Sequence, residues 1–152
     1  ERQNVRASAT QTLARPEYRE LAPFTYREVL GGINTRGNPN LRRSLVQNYD
    51  LRWELFPGAG EVLSVGVFAK TFVDPIERVD LATGDAPLVE YQNQRSARNY
   101  GVELEARKQL GGLAAFLRPT SVFANATLMR SRITIDTERS ANTNANRPMA
   151  GQ

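Results

Sequence analysis

Glu103 and Glu105 stand two apart in a run of alternating polarity, so on a strand they share one face at ~7 Å separation. Two carboxylates at that spacing could act as acid and base on a glycosidic bond. Such a pair needs a site that excludes water and pushes one pKa up. Arg107 follows on the same face, which describes a hydrated surface balanced by ion pairs instead. Gly31 to Gly37 is glycine-rich but lacks the Gly-Lys-Ser/Thr ending of a phosphate loop, and reads as a connection. Asn125-Ala126-Thr127 fits the glycosylation pattern, yet it falls inside a strand-like run. The chain has no cysteine and no histidine. Disulfides, thiolate metal sites and nucleophiles activated by histidine are therefore excluded. The sequence predicts no enzyme, no metal centre and no resident cofactor. One cluster fits ligand contact: Arg15, Tyr18, Arg19, Phe24 and Tyr26 mix guanidinia and aromatic rings in a polar segment.

The elements that hold these residues follow from periodicity. Leu45, Gln47, Tyr49, Leu51, Trp53 and Leu55 alternate with Val46, Asn48, Asp50, Arg52 and Glu54. Tyr100, Val102, Leu104 and Ala106 alternate with Gly101, Glu103, Glu105 and Arg107. A period of two sustained this far predicts long β-strands with one apolar and one charged face. Strands of soluble sheets run ~5–6 residues. The stretch from Leu45 to Phe56 spans ~40 Å at ~3.4 Å per residue, or ~28 Å in height once tilted, which matches the ~25 Å apolar band of a membrane barrel. The expected fold is all-β, an antiparallel up-and-down meander forming a partial segment of a transmembrane β-barrel.

Connections alternate in length. Short turns are expected near 57–61, at Pro57-Gly58-Ala59-Gly60, and near 111–119. Long loops are expected near 14–43, 74–95 and 134–147, the middle one holding a hairpin of Ile76–Leu81 and Leu88–Tyr91 about Thr83-Gly84-Asp85. Short turns on one side and long loops on the other are the barrel pattern. The net charge of +4 arises from arginines scattered among carboxylates, unlike the stripe that tracks nucleic-acid phosphates. No nucleic-acid partner is expected.

Several segments resemble one family. Thr12-Leu13-Ala14-Arg15-Pro16-Glu17-Tyr18-Arg19-Glu20-Leu21-Ala22-Pro23, then Gly37-Asn38-Pro39-Asn40-Leu41 with Asn48-Tyr49-Asp50-Leu51-Arg52-Trp53-Glu54, resemble the barrels of TonB-dependent receptors. So do Ser64-Val65-Gly66-Val67-Phe68-Ala69-Lys70 with Asp74-Pro75-Ile76-Glu77, Asn99-Tyr100-Gly101-Val102-Glu103-Leu104-Glu105, and Arg147-Pro148-Met149-Ala150-Gly151-Gln152. The resemblance implies a late-barrel fragment of about five strands covering 1–152. It implies an outer-membrane importer of siderophore-iron, cobalamin, glycan or peptide, with a plug domain and a TonB-engaging box outside this chain. The implied partners are outer-membrane lipid, the remainder of the barrel and its plug, TonB through that plug, and a small nutrient ligand.

On this reading Asp50, Arg52, Glu54, Glu103, Glu105 and Arg107 face the lumen. Leu51, Trp53, Leu55, Val65, Val67, Val102 and Leu104 face lipid. The alternative is a soluble all-β carbohydrate-binding or adhesin-type module, in which the apolar face would be a shared core.

Overall fold

The computed structural model describes residues 2–27, 32–81, 87–135 and 146–149. Five long strands dominate: β1 (Arg2–Ala14), β4 (Ser44–Phe56), β5 (Val62–Val73), β8 (Ser96–Gln109) and β9 (Ser121–Thr134). They lie side by side in chain order, and a two-residue strand, β10 (Asn146–Arg147), follows β9 in the six-stranded sheet. β10 pairs antiparallel with β9, Asn146 opposite Thr134. The β4–β5 and β8–β9 connections are too short for the crossover that parallel pairing demands, so each is a hairpin. The order is an up-and-down meander with β1 at an open edge.

The first hairpin closes at Gly60, whose φ of +75° suits a residue without Cβ. The Glu61 amide donates to Gly58 O at 3.1 Å across this turn. The second hairpin carries two short 3₁₀ turns, Leu110–Gly112 and Ala115–Leu117, and Leu110 N donates to Thr120 O at 3.0 Å to close it.

A second, four-stranded sheet is built from the long connections: β2 (Thr25–Arg27), β3 (Asn34–Arg36), β7 (Leu88–Asn93) and β6 (Ile76–Leu81), in that order. The segment expected as one long loop near 14–43 thus contains β2, β3 and a single helical turn, α1 (Tyr18–Leu21). β3 pairs parallel with β7, Thr35 beside Val89, a pairing that a pure meander does not contain. Residues 92–93 belong to β7, so that stretch is part of the sheet and not a loop. β6 and β7 form the expected hairpin, Val79 opposite Glu90; its turn lies outside the described residues, as does most of the connection after Ile135.

The chain groups into two compact units. One comprises Glu1–Thr10, Asn48–Ala69 and Tyr100–Arg130; the other comprises Gln11–Gln47, Lys70–Asn99 and Ser131–Gln152. The second unit holds the buried apolar cluster of Ala97, Ile133 and Ile135, with Phe72 and Met149 packed against it.

Candidate functional site

In the first unit the strands bury polar residues and expose apolar ones, the reverse of a soluble globule. Leu51, Val65, Val67, Val102 and Leu104 are 36–50% exposed, while Ser64 is 0% and Glu54 6% exposed. Trp53 and Leu55 are half-buried. Trp53 Nε1 donates to Gln3 Oε1 at 3.2 Å on the same apolar side.

The opposite face carries a charge network. Arg52 Nε lies 3.0 Å from Glu54 Oε1, and its Nη2 lies 2.6 Å from Glu105 Oε2. Arg6 Nη2 approaches Glu54 Oε2 at 3.1 Å. One guanidinium thus links two carboxylates that are 51 residues apart in sequence. The neighbouring rungs are joined by uncharged or singly charged hydrogen bonds: Ser8 Oγ donates to Asp50 Oδ2 at 3.3 Å, and Asn48 Nδ2 to Thr10 Oγ1 at 3.4 Å. Glu103 and Arg107 are exposed. Glu103 and Glu105 therefore sit in unlike settings: Glu103 is exposed, whereas Glu105 is half-buried and paired with Arg52.

Phe68 interrupts the polar alternation of β5, and its ring explains Gly101. A Cβ at residue 101 would lie 2.8 Å from Phe68 Cζ and 2.5 Å from Leu128 O. The aromatic ring occupies the space that the glycine leaves open.

In the second unit the five residues expected to contact ligand divide into two groups. Arg15, Tyr18 and Arg19 line a concavity of about 950 Å³ together with Pro16, Leu21 and Arg43. Tyr18 is almost fully exposed, and Arg19 Nε lies 3.0 Å from Glu17 Oε2. Phe24 and Tyr26 instead pack edge to face on each other, with ring centroids 6.2 Å apart. Tyr26 stands beside Thr35 in the β2–β3 register. Tyr91 lies on this sheet; burial pushes its hydroxyl pKa up to about 12, and the nearby Tyr26 hydroxyl adds to the shift.

The motif residues between these groups do structural work. α1 is closed by a reciprocal Glu17–Glu20 capping box, with Glu17 N donating to Glu20 Oε2 at 2.8 Å. Gly37 lies against α1 so closely that a Cβ there would overlap the carbonyl oxygens of Arg19 and Ala22. Asn38 N donates to Glu20 O at 2.6 Å, and Asn38 Nδ2 donates to Tyr91 O at 3.1 Å. Asn93 completes the clamp: its Oδ1 accepts from Arg42 N at 2.7 Å, and its Nδ2 donates to Arg42 O at 2.9 Å and to Asp74 O at 2.8 Å. Arg42 Nη2 also reaches Asp74 Oδ1 at 3.1 Å. Asp74 holds φ at +52°, uncommon for a residue with a side chain. Asn93 had no signal in the sequence beyond being an asparagine at a strand end. Its role appears only once residues 42, 74 and 93 are brought together.

No curated protein matches the chain in sequence. Among solved structures, the siderophore receptor PirA from Pseudomonas aeruginosa is similar, with a TM-score of 0.67 and 18% identity over 85% of this chain. The likeness covers 25% of that receptor, so this chain corresponds to about a quarter of its length. At that identity the likeness speaks for the fold. The family model described as TonB dependent receptor-like, beta-barrel, matches residues 1–151. With long strands that expose their apolar face and pair their charges on the other, the chain belongs to the TonB-dependent receptor family, within its β-barrel domain.

Proposed function

We propose that this chain forms part of the barrel wall of an outer-membrane receptor that binds and imports a scarce nutrient with TonB-coupled energy. The candidate nutrients are siderophore-iron, cobalamin, a glycan or a peptide. The single observation that carries the reading is the inverted alternation: Leu51, Val65, Val67, Val102 and Leu104 stand exposed while Glu54 and Ser64 are buried. In water such a face is unfavourable by ~25 cal/mol per Å² of apolar surface, and lipid removes that cost. The side bearing α1 and the second sheet is the outer one, because long connections lie outside and short turns lie in the periplasm. Tyr18, Arg19 and Phe24, exposed on that side, are the residues proposed to meet ligand. TonB engages the receptor through a plug domain enclosed by the complete barrel.

This chain contributes no native cysteine that would compete with an introduced label. Single cysteines at residues 102, 103, 104 and 105 of the full-length receptor are labelled with an environment-sensitive fluorophore in vesicles containing a lipid-borne quencher. Positions 102 and 104 are expected to be quenched and 103 and 105 spared. No quenching at any position would favour the soluble adhesin-type module.

A further inference from the structure

The four-stranded sheet ends in two unequal edges, β2 on one side and β6 on the other. In the antiparallel pairing of β2 with β3, Thr25 stands opposite Arg36 and Arg27 opposite Asn34. Gly37 N donates to Phe24 O at 3.5 Å, which sets the phase of this ladder. Hydrogen-bonded and non-bonded pairs alternate along an antiparallel ladder, so Tyr26 bonds to Thr35 while the main-chain groups of Thr25 and Arg27 turn away from β3. The same phase turns Asn34 and Arg36 towards β7, with which β3 pairs in parallel. Thr25 and Arg27 are both exposed. Their main-chain N–H and C=O groups have no partner among the described residues.

The two faces of β2 differ in chemistry. Phe24 and Tyr26 share one face, where their rings meet edge to face, and Phe24 is 61% exposed. Thr25 and Arg27 share the other. Arg27 Nε donates to Asn34 Oδ1 at 3.1 Å, which holds the guanidinium on that face. No carboxylate pairs with it among the described residues. Arg36 on the same face is, by contrast, neutralised by Glu90. The β6 edge presents Arg78 and Asp80, exposed charges of both signs, which is how natural sheets guard an edge. The β2 edge carries charge of one sign only.

We propose that the free edge of β2 is a strand-addition site for an extended peptide in which acidic and apolar residues alternate. This rests on the receptor reading above and narrows its ligand to a peptide. Donors and acceptors that recur at every second residue, ~7 Å apart, are matched by another extended main chain; a glycan or a macrocycle lacks that repeat. Alternate side chains of the added strand fall on opposite faces of the sheet. Its apolar residues lie beside Phe24 and Tyr26, and its carboxylates lie beside Arg27, which gains the opposite charge it lacks. The strand is short, so these side-chain contacts supply the selectivity and the main chain supplies the register.

The test uses the full-length receptor in detergent and fluorescence anisotropy of short labelled peptides. One peptide alternates valine with glutamate, a second alternates valine with lysine, and a third is the glutamate peptide N-methylated at every second residue. The glutamate peptide is expected to bind best, with N-methylation weakening it about ten-fold through lost main-chain hydrogen bonds. Thr25→Pro removes an N–H from the free edge, where proline is tolerated, and leaves the bonds to β3 in place; it should weaken the glutamate peptide by a similar factor. Arg27→Glu should reverse the preference in favour of the lysine peptide, a gain of binding that a misfolded sheet cannot give. Equal affinity for the N-methylated peptide would overturn strand addition, and an unchanged preference in Arg27→Glu would overturn the acidic selectivity. A receptor that binds no peptide but forms a dimer dissociated by Thr25→Pro would assign the edge to a second copy and overturn the peptide. The lipid-quencher experiment is independent: absence of peptide binding with quenching intact removes only this inference, whereas loss of quenching removes the receptor reading itself.

Discussion

Three arginine substitutions at consecutive positions of β8 should give three distinct outcomes. Leu104 is 44% exposed on the apolar face, in the middle of the outward run from Tyr100 to Ala106. If this face meets lipid as proposed, Leu104→Arg would bring a guanidinium into the apolar band, at a cost of ~2–4 kcal/mol near its middle. Glu105→Arg acts on the other face, where the carboxylate lies 2.6 Å from Arg52 Nη2. That change removes an ion pair and sets two guanidinia against each other. The side chains of Arg52 and Glu105 are 31% and 38% exposed, so water screens much of the interaction and the loss should be about 1–2 kcal/mol. Glu103 is exposed on the same face and faces the hydrogen-only side of Gly66, with a virtual Cβ there 3.7 Å from its own Cβ. Glu103→Arg should change stability by no more than about 0.5 kcal/mol. Urea titration of the full-length receptor folded into vesicles, followed by heat-modifiable gel mobility, ranks the three. The expected order of destabilisation is Leu104→Arg, then Glu105→Arg, then Glu103→Arg. Equal losses at 103 and 104 would refute the two-faced strand, and the reverse order would mean the strand is inside out.

Gly37→Ala should loosen α1 from β3, because its Cβ would overlap main-chain atoms that cannot yield; a cost of about 1–3 kcal/mol should appear as faster proteolysis between residues 15 and 27 with the long strands still folded. Asn93→Ala removes one acceptor and two donor contacts to Arg42 and Asp74, so hydrogen exchange at residues 42 and 74–76 should quicken, at a cost of about 1–3 kcal/mol. The Tyr91 hydroxyl, raised to about 12, favours the folded state fully below the ordinary tyrosine value near 10. That contribution should fade as pH climbs from about 10 through 12, and ultraviolet difference titration of the wild type against Tyr91→Phe should show the late-titrating phenol only in the wild type.

The alternation of Leu51 with Arg52 and of Leu104 with Glu105 was legible from residue order alone. Period two is local: once a run is a strand, successive side chains must point to opposite faces. Strand length, the Gly60 turn and the family motifs were legible for the same reason, since each is a property of neighbouring residues. The partners across strands were not. Arg52 meets Glu105, and Asn93 meets Arg42 and Asp74, because strand order and register bring together positions tens of residues apart. The three-residue strands Thr25–Arg27 and Asn34–Arg36 are too short to show a period, and they become strands only because β7 offers its edge to β3. Ser131 and Asn99, 32 residues apart, are joined by a hydrogen bond in the same way. Side-chain direction is set by the local backbone, whereas side-chain company is set by pairing between distant strands.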